Sequence, residues 1–136
     1  MTLGQQKEIL VVEDHVAQAT ILKTLLESAG FLIHLEHDGA GALRYALEHQ
    51  VALVILDLKL PDIPGYHVCR KLRRLYHAWV VPIVMLTGMD QPVDQLRGYA
   101  HGADAYLTKP YEIHELLGTI TRLLGQTDDA SLASET

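Results

Sequence analysis

Residues 51–65 read VALVILDLKLPDIPG, and this stretch decides the fold class. Its first six residues are apolar and mostly branched, which is typical of a strand buried on both faces, as in a parallel sheet. Asp57 follows directly, and Pro64 and Gly65 interrupt the chain before the next helical pattern. We therefore expect a central strand that ends in an acidic residue and a turn.

Similar apolar runs lie on both sides of this stretch, at residues 9–12 and 83–86, and weaker ones at residues 32–35 and 105–108. Between these runs, apolar residues recur every three or four positions, which predicts helices. The helical stripes are Ile21, Leu22, Leu25, Leu26 and Ala29; Leu43, Ala46 and Leu47; Val68, Leu72 and Leu75; Val93, Leu96 and Ala100; and Ile113, Leu116, Leu117, Ile120 and Leu124. Five strands alternating with five helices predict an open α/β sheet with helices on both faces.

Composition restricts the class of protein. The 136 residues are 49% hydrophobic, which suffices for one core but not for two ordinary domains. The net charge of -6 argues against a general affinity for nucleic acid or anionic membrane. No apolar run approaches the roughly 20 residues that span a bilayer. A single cysteine and the absence of a signal pattern complete the prediction of a cytoplasmic protein without direct nucleic-acid or membrane binding.

The predicted domain occupies residues 8–125, after a flexible N-terminus at residues 1–7. Residues 126–136 read QTDDASLASET, which is polar, acidic and rich in small side chains. Such a segment buries too little apolar surface to offset the entropy of ordering it. We expect a disordered tail or a linker severed from a longer chain.

Five polar residues fall at the carboxyl ends of predicted strands. Glu13 and Asp14 follow the first strand, Asp57 the third and Lys109 the fifth, while Thr87 closes the fourth. In an open parallel sheet these ends face one crevice, so the five side chains should converge. Three carboxylates there would repel one another by roughly 4 kcal/mol per close pair at an effective dielectric near 20. A cation must therefore lie between them.

The chemistry of such a crevice suits phosphoryl transfer. Oxygen ligands favour Mg2+, which takes one or two carboxylates together with phosphate oxygens. The protein then mainly positions groups and neutralises charge, a task for the metal and Lys109. A carboxylate such as Asp57 is a competent nucleophile that gives an aspartyl phosphate, and Thr87 offers a hydroxyl to one of its oxygens.

Four motifs carry a resemblance to a known family: VVED at 11–14, ILDLKLPDIPG at 55–65, MLTG at 85–88 and YLTKP at 106–110. In this order and spacing they resemble the receiver domain of response regulators, the CheY-like superfamily of two-component signalling. The resemblance covers residues 8–124. It implies a flavodoxin-like (βα)5 doubly wound α/β sandwich with a five-stranded parallel sheet in the order 2-1-3-4-5.

The resemblance also implies a role for each site residue. Glu13 and Asp14 would form the acidic pair that holds Mg2+, with Asp14 the better direct ligand of the two. Asp57 would be the phosphoacceptor and a metal ligand. The backbone carbonyl of Lys59 would be the third protein ligand.

The switch residues are implied in the same way. Thr87 and Lys109 would hold the phosphoryl group, Tyr106 would be the aromatic that rotates as Thr87 moves, and Pro110 would follow a cis peptide bond. Phosphorylation adds about -1.5 to -2 charges. The expected response is a repacking of the face formed by the fourth helix, fifth strand and fifth helix.

The implied partners follow from this switch. A sensor histidine kinase or a histidine phosphotransfer protein would donate the phosphoryl group to Asp57. A downstream output domain or protein would contact the changed face, and a homodimer through that face is a further expectation. The protein would catalyse only its own phosphorylation and dephosphorylation.

Three alternative functions remain open. A haloacid-dehalogenase-like phosphatase requires a second Asp two residues after the nucleophile, where Lys59 stands. A flavodoxin-like flavin carrier requires a Ser/Thr/Gly loop after the first strand, where Glu13 and Asp14 stand. A degenerate receiver would act as an interaction module without phosphorylation, and only the intact set of polar residues argues against it.

Structural explanations stand beside the functional ones. An acidic pair at a helix N-terminus is favoured by the macrodipole, and a lone strand-end Asp, Thr or Lys is common. We predict that the basic cluster on the third helix is solvated, that Cys69 is half-buried, that the eight histidines lie on the surface, and that Trp79 leads into the fourth strand. The basic cluster is Arg70, Lys71, Arg73 and Arg74.

Overall fold

The computed structural model describes residues 7–76 and 81–135, with side chains described as far as residue 125. Strands and helices alternate along this part of the chain. The strands are β1 (Glu8–Val12), β2 (Leu32–Glu36), β3 (Leu53–Leu56), β4 (Ile83–Thr87) and β5 (Ala105–Thr108). The helices are α1 (Val16–Ser28), α2 (Gly39–Glu48), α3 (Gly65–Tyr76), α4 (Pro92–Ala100) and α5 (Ile113–Glu135).

The five strands form one parallel sheet in the order β2-β1-β3-β4-β5. The predicted flavodoxin-like (βα)5 topology is therefore confirmed. Within the described residues, no helix is both long and apolar enough to cross a bilayer.

Two apolar cores lie on opposite faces of the sheet. Successive strand residues point to opposite faces, so Leu10 and Val12 enter the core beneath α2 and α3, whereas Ile9 and Val11 enter the core beneath α1 and α5. The strands β1, β3 and β4 are buried almost throughout. Burial on both faces explains why these strands are continuous apolar runs in the sequence.

Helix α4 is present as predicted, but its apolar stripe does not face the core. Val93 and Leu96 are 54% and 71% exposed, and the helix buries Gly98 instead. A Cβ atom at Gly98 would lie 2.8 Å from the ring of Tyr106 and 2.9 Å from the sulfur of Met85. Because Gly98 allows this close approach, the backbone of α4 covers the sheet and its larger side chains point outward.

The predicted solvated basic face of α3 is wrong for Arg73. Its Nε donates to the carbonyl of Gly102 at 2.8 Å and Nη1 donates to the carbonyl of Val81, while Nη2 forms an ion pair with Asp104. The Arg73 side chain is 12% exposed. It therefore ties α3 to the segment that leads into β5, whereas Arg70, Lys71 and Arg74 are exposed.

The predictions for Cys69, His34 and Trp79 had different outcomes. Cys69 is fully buried rather than half-buried, and burial raises the pKa of its thiol to about 11. His34 is half-buried and stacks on Tyr45 with ring centroids 3.6 Å apart, so it is not simply a surface histidine. Trp79 lies outside the described residues.

The last helix is longer than the sequence indicated. Its backbone continues through residues 126–135, which were predicted to form a disordered tail or a linker. Extending an existing helix avoids the cost of nucleation, so a polar segment that would not fold alone can continue α5. That these residues link to a further domain stays a prediction.

A substitution at Gly65 tests how the loop after β3 is held. A Cβ atom there would lie 2.5 Å from Cα of Leu58 and 2.7 Å from the carbonyl oxygen of Asp57, both of which are backbone atoms. We expect Gly65→Ala to lower the free energy of unfolding by about 3 kcal/mol in chemical denaturation. Gly118→Ala, where a Cβ meets open space in α5, should be neutral or raise it by about 0.5 to 1 kcal/mol. Equal stability of the two variants would contradict the close contact.

Candidate functional site

The carboxyl ends of β1 and β3 position two acidic side chains. The backbone N–H of Asp57 donates to the carbonyl of Val12 at 3.0 Å, and that of Glu13 donates to the carbonyl of Glu36 at 3.0 Å. Each acid is therefore fixed by a sheet-like bond just past the end of its strand. Glu13 and Asp57 are 5% and 7% exposed.

Asp14 completes a group of three carboxylates. It is exposed, unlike its two neighbours, and one oxygen from each of Glu13, Asp14 and Asp57 lies within 4.8 Å of the others. The predicted convergence of these acids is confirmed as geometry. The group lies at the carboxyl edge of the sheet, where open α/β proteins bind ligands.

Lys109 reaches this group from the end of β5. Its ammonium donates to Oδ2 of Asp57 at 2.8 Å and forms an ion pair with Glu13. Its backbone N–H donates to the carbonyl of Thr87 at 2.8 Å, which continues the pairing between β4 and β5. The predicted convergence of Lys109 with Glu13 and Asp57 is therefore confirmed.

The charges of these groups influence one another. Burial alone would raise the pKa of Asp57, but hydrogen bonds from Lys109 and from the backbone N–H of Lys59 hold the pKa below its ordinary value. Burial raises the pKa of Glu13 despite the contact with Lys109. The pKa of Lys109 is lowered by burial and raised more strongly by Asp57 and Glu13, so it lies above its ordinary value. Asp57 is therefore ionised and Lys109 charged near neutral pH.

The predicted switch residues are linked through the loop after β4. Thr87 is fully buried, and its hydroxyl oxygen accepts a long bond from the backbone N–H of Met89 at 3.4 Å. The hydroxyl of buried Tyr106 donates to the carbonyl of the same Met89 at 2.7 Å. Thr87 and Tyr106 are thus both bonded to the backbone of Met89, one to its N–H and the other to its carbonyl. The predicted cis peptide bond before Pro110 is also present.

One residue of the site was not found from the sequence. Gln18, in the first turn of α1, accepts a hydrogen bond from the ammonium of Lys109 at 2.9 Å through its side-chain oxygen. The only signal in the sequence was its position four residues after Asp14, on the helix that leaves the crevice. His15 caps this helix, since its Nδ1 accepts from the backbone N–H of Gln18 at 3.3 Å.

A cleft of about 430 Å³ opens beside these groups between α1 and the segment after β5. Its polar lining is contributed by Glu13, Gln18, Asp57 and Lys109. The remaining lining residues are Val11, Val12, Ile21, Leu22, Ile55, Leu86, Pro110 and Tyr111. The site is therefore polar at the sheet edge and mostly apolar beneath α1.

The donor set fits a hard divalent cation. Three carboxylates face one ammonium, so the cleft keeps an excess of negative charge. All the candidate ligand atoms are oxygens, which suits Mg2+ better than a transition metal. Glu13, Asp14 and Asp57 are the described side chains that could hold such an ion.

Comparison with known proteins decides the family. Residues 9–121 match the family model of the response regulator receiver domain. The chain belongs to this family. This receiver is therefore a domain of two-component, phosphorylation-based signalling rather than a metabolic enzyme.

The relatives agree with this assignment. The receiver is 38% identical over 120 residues to a DNA-binding dual master transcriptional regulator of Synechocystis sp., RpaA, covering 88% of this chain and 50% of that protein. It thus spans about half the length of the curated relatives it matches.

Solved structures share the fold. A CheY-like receiver domain protein from Methanospirillum hungatei has 27% identity and a TM-score of 0.87, with 93% of this chain and 99% of that chain covered. The receiver domain of a sensor histidine kinase from Pseudomonas aeruginosa has 31% identity and a TM-score of 0.82, with 89% and 99% covered. That structure has a magnesium ion coordinated in its active-site cleft.

Proposed function

We propose that this receiver is a Mg2+-dependent phosphorylation switch whose phosphoacceptor is Asp57. The donor would be a phosphohistidine on a sensor histidine kinase or histidine phosphotransfer protein. The observation that carries the proposal is the position of Asp57: it is buried, 2.8 Å from Lys109 and grouped with Glu13 and Asp14. This combination provides a nucleophile, a cation and metal ligands at one point.

The proposed reaction is a displacement at phosphorus. An oxygen of Asp57 forms a bond to phosphorus as the bond to the donor's histidine nitrogen breaks, and that nitrogen keeps the electron pair and takes up a proton. Lys109 neutralises charge on the transferring oxygens, and Thr87 offers its hydroxyl to one of them. Mg2+, held by Glu13, Asp14, Asp57 and the backbone carbonyl of Lys59, would supply further positive charge to these oxygens when bound.

We expect the backbone of Met89 to couple phosphorylation of Asp57 to a movement of Tyr106. If the hydroxyl of Thr87 turns toward a phosphoryl group on Asp57, it gives up its long bond from Met89, and Met89 is also the residue that holds the hydroxyl of Tyr106. Movement of Thr87 would therefore release the ring of Tyr106 beneath α4. This is how a charge at the sheet edge could change the α4-β5-α5 face.

The α4-β5-α5 face offers a surface for partners. Helix α4 exposes three large side chains that could pack in an interface: Val93, Leu96 and Tyr99. A downstream output domain or protein would bind this face, or two receivers would pair through it. This chain spans about half the length of the Synechocystis relative, whose name describes it as DNA-binding. Both facts support the proposal that the whole protein, which we propose to be cytoplasmic, carries an output domain.

Beryllofluoride, which mimics an aspartyl phosphate, tests the switch. With Mg2+, we expect backbone amide resonances of α4, β5 and α5 to shift in the unsubstituted receiver, because Thr87 is drawn toward the new anionic group. In Thr87→Val, which keeps the shape but removes the hydroxyl, the shifts on this face should fall to less than about half while those near Asp57 persist. Unchanged resonances on the α4-β5-α5 face of the unsubstituted receiver would contradict the switch.

A further inference from the structure

Gln18 is held at the cleft by the start of α1. Its backbone N–H is bonded to the capping ring of His15, and the helix begins two residues after Asp14. The side chain therefore projects from a fixed turn of helix rather than from a loop. From there its oxygen reaches the ammonium of Lys109, which is 91 residues away in the sequence.

The ammonium of Lys109 has as many acceptors as it has protons. A lysine ammonium carries three N–H donors. The described acceptors are Glu13, Gln18 and Asp57. The three N–H groups of the ammonium thus match three acceptors at the cleft, and Gln18 is one of these acceptors.

The three acceptors differ in charge. Glu13 and Asp57 are carboxylates of the group that could hold a metal ion, whereas Gln18 carries a neutral amide. A cation drawn to the carboxylates would compete with Lys109 for two of its acceptors and leave the third untouched. Among the described cleft-lining residues on the α1 side, Gln18 is flanked by apolar Ile21 and Leu22. Of these three described lining residues, Gln18 is the one whose side chain offers the ammonium an acceptor.

We propose that Gln18 is a positioning residue that keeps the ammonium of Lys109 over Asp57 when the carboxylates are engaged elsewhere. This inference rests on the proposed phosphorylation of Asp57. Gln18 touches neither the phosphoryl group nor the metal; it acts through Lys109. Its contribution should therefore appear in the rate of phosphorylation and vanish when Lys109 is absent.

Gln18→Met tests this role, because methionine keeps the length and helix propensity of glutamine but lacks the amide acceptor. With acetyl phosphate and saturating Mg2+, we expect phosphorylation of Asp57 to slow by about 3- to 10-fold, as for loss of one ordinary solvent-exposed hydrogen bond. Gln50→Met, at an exposed glutamine between α2 and β3, is the matched control and should keep the original rate. The melting temperatures of both variants should stay close to that of the unsubstituted receiver.

Two further measurements separate positioning from a general effect. The Nζ protons of Lys109, observed by NMR, should exchange with solvent faster in Gln18→Met than in Gln50→Met. In a double-mutant cycle, Gln18→Met should cause no further slowing in a Lys109→Met background. Unchanged rates and exchange in Gln18→Met, or a full additional slowing in Lys109→Met, would overturn the role of Gln18. A lack of any phosphorylation in the unsubstituted receiver would instead contradict the proposed function, and this inference with it.

Discussion

A Lys109→Met receiver is expected to bind Mg2+ about 10-fold more tightly than the unsubstituted receiver and to be phosphorylated by acetyl phosphate at least about 10-fold more slowly. The first effect follows because the ammonium of Lys109 already occupies Glu13 and Asp57. Removing it leaves two buried carboxylates without their cation, so a divalent ion gains the attraction that lysine had.

The slower reaction has a separate cause. Charge that develops on the transferring phosphoryl oxygens would lose one fixed cation, and loss of a single preorganised donor commonly costs tenfold or more in rate. Calorimetric titration with Mg2+ and initial rates with acetyl phosphate measure the two effects.

Lys71→Met is the matched control, since Lys71 is exposed on α3 and should affect neither quantity. Lys109→Met with unaltered Mg2+ affinity and unaltered rate would show that the contacts of Lys109 are structural only.

Asp57→Asn is expected to reduce phosphoryl incorporation by at least about 100-fold, because a neutral amide oxygen is a far weaker nucleophile than a carboxylate. The fold should survive. Asparagine keeps the size of the side chain, and its one oxygen can still accept from either the backbone N–H of Lys59 or Lys109, which now donate to different oxygens of the carboxylate. The beryllofluoride-induced shifts should disappear in the same variant.

Glu48→Gln provides the comparison for this experiment. Glu48 is exposed at the end of α2, outside the group of three carboxylates. Its replacement should leave both phosphorylation and the beryllofluoride response intact. Equal loss in the two variants would mean that charge removal in general, and not the Asp57 carboxylate, is responsible.

The sheet and the placement of its polar ends were predictable from the sequence for a simple physical reason. Strands buried on both faces have to be apolar throughout, so the polar residue that ends each run marks a strand terminus. Because parallel strands end at one edge, Glu13, Asp57 and Lys109 had to approach one another. Local patterns and one rule of topology suffice for this part of the site.

Features that depend on tertiary packing were beyond the sequence. The apolar residues of α4 suggested an inward stripe, but the approach of the backbone at Gly98 to Tyr106 turns Val93 and Leu96 outward. Arg73 looked like its exposed neighbours because its main acceptors are backbone carbonyls such as that of Gly102, which no sequence pattern reveals.

The contact of Gln18 with Lys109 belongs to the same class. It depends on how α1 leans toward the segment after β5, and two residues 91 positions apart carry no local signal of such a contact. Once the sheet edge is known, however, every residue in the first turn of α1 becomes a candidate. The angle at which α1 packs on the sheet then determines which of these residues reaches Lys109.

Intact mass spectrometry after incubation with acetyl phosphate, with and without Mg2+, tests the role of Asp57 directly. We predict the addition of a single phosphoryl group to the unsubstituted receiver, dependent on Mg2+, and no addition to Asp57→Asn. No addition to the unsubstituted receiver would contradict the proposal and favour a receiver that acts as an interaction module without phosphorylation. An addition that persists in Asp57→Asn would contradict it by placing the phosphoryl group on another residue.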